Sequence, residues 1–163
     1  MTDIDNRLER TAGALLLARG WTVCAAESCT GGLLLSRLTD IPGSSQWVVG
    51  GVIAYADRIK RDLLGVPDDL LQTHGAVSEP VARAMAHGVI ARFQTDVAIS
   101  ITGIAGPGGA TPGKPVGLTY IGLLMRGGEP EVRRFVWMGG REENKRSSAD
   151  TALSWLIDVL RGA

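Results

Sequence analysis

The sequence is poor in the residues that hold metals or staple a chain. It has two cysteines, Cys24 and Cys29, and two histidines, His74 and His87, in 163 residues. They do not fall at zinc-ligand spacing, so no metal site is expected, and no motif asks for a cofactor. With so few thiols both read as reduced, which fits a cytoplasmic setting. Charge of either sign is not in excess: 17 Lys and Arg balance 17 Asp and Glu. Affinity for a nucleic-acid backbone comes largely from surplus cations, so direct nucleic-acid binding is not expected. No apolar run reaches the length of a membrane span, and residues 1–10 are too polar for a secretory leader.

What is present is ordinary for one globular domain spanning 1–163: 45% hydrophobic and 21% charged residues. Apolar residues at Leu8, Ala12, Leu15 and Leu16 have helical spacing over 5–19, and Gly20 stops the helix. The run 21–26 reads as a buried strand, 32–39 as a helix and 46–55 as a second strand. In that strand Gly50-Gly51 signals a bulge or a close backbone approach. Short helices are expected over 57–64 and 68–73. A long one follows over 78–93, with Ser78 as N-cap and Pro80 in its first turn. Residues 96–101 read as a third strand, 103–117 as a loop, and 116–125 with 132–138 as a hairpin pair joined through 126–130. The last helix, 141–160, carries Ala149, Leu153, Leu156 and Leu160 on one stripe. Alternating helices and strands that end in a hairpin predict a three-layer α/β/α sandwich with a mixed sheet.

Three stretches carry candidate chemistry. Glu27-Ser28-Cys29-Thr30-Gly31-Gly32 sits where the first strand ends and a helix begins, the place where α/β proteins present free amides to anions. Ser28 or Thr30 could be a nucleophile there, with Gly31 and Gly32 allowing close approach; the alternative is a Ser/Thr helix cap. Cys29 is a rival nucleophile, but no nearby histidine would activate it. The second stretch, Tyr55 to Arg61, places Lys60 beside the buried face marked by Ile59, Leu63 and Leu64. A half-buried lysine loses basicity and can serve as a base, with Tyr55 close by at the strand end; a solvated basic turn is the plainer alternative. The third, 100–115, is dense in glycine and proline directly after a strand. Its amides could converge on an anion, with Lys114 adding charge; a structural crossover loop is the alternative. The loop fits neither a Walker A nor a dinucleotide fingerprint.

Taken together, AESCTGG at 26–32, GGVIAYADRIKRDLLGV at 50–66, HGAVSEPVARAMA at 74–86 and SITGIAGPGGATPGKPVGLTYIG at 100–122 closely resemble the CinA C-terminal domain family. Its characterised members are nicotinamide-mononucleotide amidohydrolases of the PncC type. The resemblance implies a compact α/β/α fold, no cofactor, a small nucleotide substrate and often a homodimer. It implies Ser-Lys hydrolysis of the carboxamide of nicotinamide mononucleotide, giving nicotinate mononucleotide and ammonia. On that basis Ser28 becomes nucleophile, Lys60 general base and Tyr55 a supporting group. The amides of Thr30, Gly31 and Gly32 become candidate oxyanion donors, and Glu27 belongs to the same substrate-binding turn. Thr102, Gly103, Gly106, Gly108 and Gly109, with Lys114 or Arg141, are expected to hold ribose and phosphate. The chain departs from the family at the last helix, where Arg141 is kept but Asn144 and Lys145 replace a usual apolar residue and arginine. It resembles the stand-alone form, without an N-terminal molybdopterin-binding-like domain. Alternatives are a nucleotide-binding partner protein that no longer turns substrate over, and an amidase for another pyridine or nucleotide amide.

Overall fold

Burial sorts the strands before any topology is drawn. All five residues of β1 (Val23–Glu27) are buried, and so are six of the seven in β3 (Val97–Gly103). Strands covered on both faces belong in the middle of a sheet, between two layers of helices. The computed structural model describes residues 7–163 and places them there. The sheet runs β2–β1–β3–β4–β5, with β2 (Val48–Ile53), β4 (Leu118–Met125) and β5 (Glu131–Val136) completing it. β1 pairs parallel with β2 and β3, whereas β4 and β5 pair antiparallel, so the sheet is mixed, as the strand pattern predicts.

Side chains alternate across the strands. Val23 and Ala25 face one core, which they share with Ile99, Ile101 and Ile121. That core is closed by α1 (Leu8–Arg19), α2 (Leu33–Thr39) and α6 (Arg141–Gly162). Cys24 and Ala26 face the other, shared with Ala98 and Leu124. It is closed by α3 (Asp57–Leu64), α4 (Asp68–His74) and α5 (Glu79–Phe93). The stripe Ala149, Leu153, Leu156 and Leu160 is fully buried in α6. Gly20 ends α1 at φ 62°, a left-handed turn that glycine adopts without strain. The start of the helix expected over 5–19 lies partly outside the described residues. Ser78 is the N-cap of α5, yet its hydroxyl donates back to the Gly75 carbonyl (2.8 Å) instead of capping the helix.

Two close approaches set the shape around β2 and α5. The β1–β2 register slips between Val23 and Cys24, which produces the expected bulge. Beyond it a Cβ on Gly51 would collide with the Ala25 carbonyl and with Leu35. On the other face Gly88 lets α5 lie against the end of α3, where a Cβ would land on the Leu64 carbonyl. Alanine gains about 1 kcal/mol of helix propensity over glycine, but a clash with backbone cannot relax by a rotamer change. Gly88→Ala is therefore expected to destabilise by about 1–3 kcal/mol, read as a lower urea midpoint at unchanged m-value. An equal or higher midpoint would mean the α3–α5 contact is looser than the structure has it.

Candidate active site

β1 and β3 are neighbours, but the chain leaves them toward opposite sides of the sheet: β1 leads through α2 to β2, β3 leads to β4. A crevice opens at such a reversal beyond the carboxyl ends of the strands. Here it is a cavity of about 480 Å³, within the range of small-ligand sites. Its wall comes from five places. Ser28 and Cys29 follow β1; Tyr55, Asp57 and Lys60 follow β2; Ala76 and Val77 precede α5. Thr102 and Gly103 end β3, the stretch 104–109 follows it, and Arg141 opens α6.

The floor is a serine and a lysine. Ser28 is held by its own amide, which donates to the Ile101 carbonyl (2.9 Å) and continues the β1–β3 ladder one residue past the strand. Lys60 is 1% exposed. Its Nζ lies 3.1 Å from Ser28 Oγ, 2.8 Å from the Ala54 carbonyl and 3.2 Å from the Tyr55 carbonyl. As an ammonium it donates to all three. Once neutral it has two hydrogens for the two carbonyls and a lone pair left to accept the Ser28 proton. Burial pushes the Lys60 pKa below the usual lysine value, against the opposing fields of Asp57 and the Cys29 thiolate. Asp57 Oδ1 stands 3.8 Å from Nζ. Cys29 is in the cavity wall, but burial pushes its thiol up to about 11, so the reactive thiolate is scarce near neutrality.

Tyr55 contributes at two levels. Its carbonyl holds Lys60, while its phenol accepts a hydrogen bond from Arg141 Nη2 (3.1 Å) at the rim. Arg141 also donates to the Gly106 carbonyl (2.7 Å), so it straps the glycine-rich loop to the mouth of the cavity. Thr102 and Gly103, Gly106, Gly108 and Gly109 line the wall. The Thr102 hydroxyl, however, is committed to the Ala76 carbonyl (2.8 Å). The amides of Gly106, Gly108 and Gly109 have no acceptor among the described residues.

Other expected residues sit elsewhere. The Glu27 side chain is fully buried away from the cavity, and its carboxylate accepts from the amides of Gly32 (3.1 Å), Leu34 (3.2 Å) and Leu35 (2.8 Å). It caps α2 and so is not aimed at a ligand. Alternation along β1 explains this, because Glu27 and Ser28 leave the backbone on opposite sides. Thr30 is 1% exposed, does not line the cavity, and its hydroxyl has no hydrogen-bond partner among the described residues. Neither do Gly31 and Gly32 line it. Their amides go to the Ser28 carbonyl (3.0 Å) and to Glu27. That leaves the amides of Cys29, in the cavity wall, and of Thr30, outside it, without an acceptor among the described residues. Lys114 also lies outside the cavity, because it donates to the His74 carbonyl and pins the loop to the end of α4.

Asp57 was not read from the sequence as a site residue, and neither was Asn144 as an anchor. Asn144 is 2% exposed; its Nδ2 donates to the Ala105 carbonyl (3.0 Å) and its Oδ1 accepts from the Gly139 amide (3.0 Å). A polar residue at this buried place is satisfied at both ends and ties the loop to α6. Lys145, one turn past Arg141, packs beside Gly31 and outside the cavity wall. Among the described residues no group of three or more His, Cys, Asp and Glu could hold a metal ion, and no helix is long and apolar enough to cross a membrane.

A serine and a buried lysine at the carboxyl end of a mixed sheet define a candidate nucleophile–base pair. Residues 5–160 match the family model described as CinA C-terminal domain, and the chain belongs to that family. It is 49% identical over 158 residues to a CinA-like protein of Chlorobaculum tepidum, covering 94% of this chain and 37% of that protein. It is 50% identical over 149 residues to a CinA-like protein of Mycolicibacterium gilvum, covering 91% of this chain and 35% of that one. The chain thus spans little more than a third of the curated relatives it matches. Among solved structures, a CinA superfamily protein from Klebsiella pneumoniae superposes with a TM-score of 0.92 at 33% identity, over 96% of this chain and 97% of that one. The competence/damage inducible protein of Agrobacterium tumefaciens gives 0.90 at 39% identity, over 99% of each.

Removing the carboxylate of Glu27 leaves three amides at the start of α2 without their acceptor. Glu27→Ala is expected to cost about 2–4 kcal/mol, measurable by urea unfolding. A loss below about 0.5 kcal/mol would mean that water replaces the carboxylate there and that the residue is free for another role.

Proposed function

We propose that this chain is an amidohydrolase that cleaves the carboxamide of nicotinamide mononucleotide to nicotinate mononucleotide and ammonia. The observation that carries the reading is the 3.1 Å contact between Ser28 Oγ and the buried Lys60 Nζ, open to a nucleotide-sized cavity. A serine hydroxyl is a weak nucleophile and needs a base within hydrogen-bond reach. Desolvation favours one by lowering the Lys60 pKa toward the neutral amine.

Ser28 Oγ attacks the carboxamide carbon as its proton passes to Lys60 Nζ. The carbonyl oxygen becomes an oxyanion, and the Cys29 amide, in the cavity wall and without another acceptor among the described residues, is the donor left for it. Lys60 returns the proton to the amide nitrogen, the C–N bond breaks and ammonia leaves. Water, deprotonated by the again-neutral Lys60, then attacks the acyl-serine and restores Ser28. Arg141 and the unpartnered amides of Gly106, Gly108 and Gly109 supply cationic and N–H partners for the 5′-phosphate. The lysine at 114 is not needed for this, since it is spent on the His74 carbonyl.

Incubation with nicotinamide mononucleotide and a chelator is expected to release ammonia and nicotinate mononucleotide one for one. Ser28→Ala and Lys60→Ala are each expected to lower kcat at least about 1,000-fold with the circular dichroism spectrum retained. Full activity in either would take that role from the residue. Because only the neutral amine is a base, kcat/KM is expected to rise with pH through one ionisation whose midpoint lies below the ordinary lysine value of 10.5. A profile with no ionisation anywhere below 10.5 would remove Lys60 as the titrating base.

A further inference from the structure

Among the described residues Asp57 is the one carboxylate in the cavity wall, and the reaction just described does not use it. It stands in the first turn of α3 but does not cap it; Ala56 is the N-cap, with no side-chain cap hydrogen bond. Its side chain is 64% exposed, and among the described residues its one close partner is Lys60 Nζ at 3.8 Å. A first-turn acid complements the helix dipole wherever its side chain points, so the dipole does not require a carboxylate over the lysine. Nor does the base profit from it, because the Asp57 field favours the ammonium over the neutral amine.

We propose that Asp57 distinguishes carboxamide from carboxylate, by accepting an N–H of the amide nitrogen and repelling the anion that hydrolysis leaves. The proposal rests on the amidohydrolase reading and names a specificity residue for it. Ser28 Oγ and Asp57 Oδ1 lie 3.1 and 3.8 Å from the same nitrogen, so nucleophile and aspartate flank one amine in the cavity wall. The carbonyl oxygen turns to the Cys29 amide, which leaves the amide nitrogen on the lysine side, where it must collect its proton. An acceptor beside Lys60 holds the nitrogen there. The product carboxylate has no N–H to offer and brings a second negative charge to the same place. A site that prefers the neutral amide over the anion it makes is relieved of product inhibition.

The test separates this repulsion from the titration of Lys60. In Lys60→Met protein, where the base is gone, affinities for nicotinamide mononucleotide and nicotinate mononucleotide are measured by calorimetry at low ionic strength, with Asp57 intact and as Asp57→Asn. The ratio favouring carboxamide is expected to fall about 3–10-fold in Asp57→Asn, mainly through tighter carboxylate binding, and the difference to shrink with added salt. Asp57→Ala, which also removes the acceptor, is expected to weaken the carboxamide as well. Binding of both nucleotides with an unchanged ratio would overturn the role of Asp57 and leave the amidohydrolase reading standing. Failure of both nucleotides to bind with Asp57 intact would overturn the substrate reading, and this proposal with it.

Discussion

The site depends on keeping one amine out of water. A buried lysine is costly as an ammonium, and the cost is lowered by hydrogen bonds or by loss of the proton. Lys60 has both means at hand. Two carbonyls at the end of β2 are within reach of Nζ whatever its charge, and the third partner is the hydroxyl it would activate. Its position follows from the backbone. β2 can lie against β1 because Gly51 has no side chain to strike the Ala25 carbonyl, and α3 starts just beyond β2, which brings Nζ back over the strand end. Ser28 arrives from the other side, on the last rung of the β1–β3 ladder.

Above this dry floor the cavity changes character. Its upper wall is backbone: a glycine-rich loop whose free amides can face a ligand without a side chain between. Such a loop loses much entropy on ordering, and here it is tied at three places. Arg141 holds Gly106, Asn144 holds Ala105, and Lys114 holds the end of α4. Two of the three ties come from the start of α6, so the last helix both closes a core and shapes the mouth of the cavity. Asn144 shows how a polar residue in an apolar position is tolerated when both ends of its amide are used.

Much of the site was legible in the chain because strand ends and loops can be located from local pattern. Ser28 after an apolar run, Lys60 in a short helix, and a glycine loop after a third strand all meet at one crevice. Lys60 is itself buried with Leu64, however, whereas Leu63, read as part of the buried face, is exposed because α3 turns its lysine to the strand end. Direction of side chains was not legible to the same degree. Glu27 stands next to Ser28 in sequence and points the other way, into a helix terminus. Gly31 and Gly32 open a helix as expected, but their amides already have acceptors. Lys114 carries the right charge in the right loop and spends it on a neighbouring carbonyl. Asp57 was hidden for the opposite reason, since a first-turn acid is so common that only its place over Lys60 sets it apart.

By itself the sequence determined the order and kind of the elements, the mixed sheet, and the two junctions where small, polar and glycine residues gather. These are local matters, governed by hydrophobic period, turn residues and helix stops, which act over a few neighbours. Only the tertiary structure decided which of those residues share a volume. Lys60 and Ser28 are 32 positions apart and meet at 3.1 Å because two strands pair in one register. The loss of water around that contact makes the amine a candidate base, and it is created by packing from every side at once.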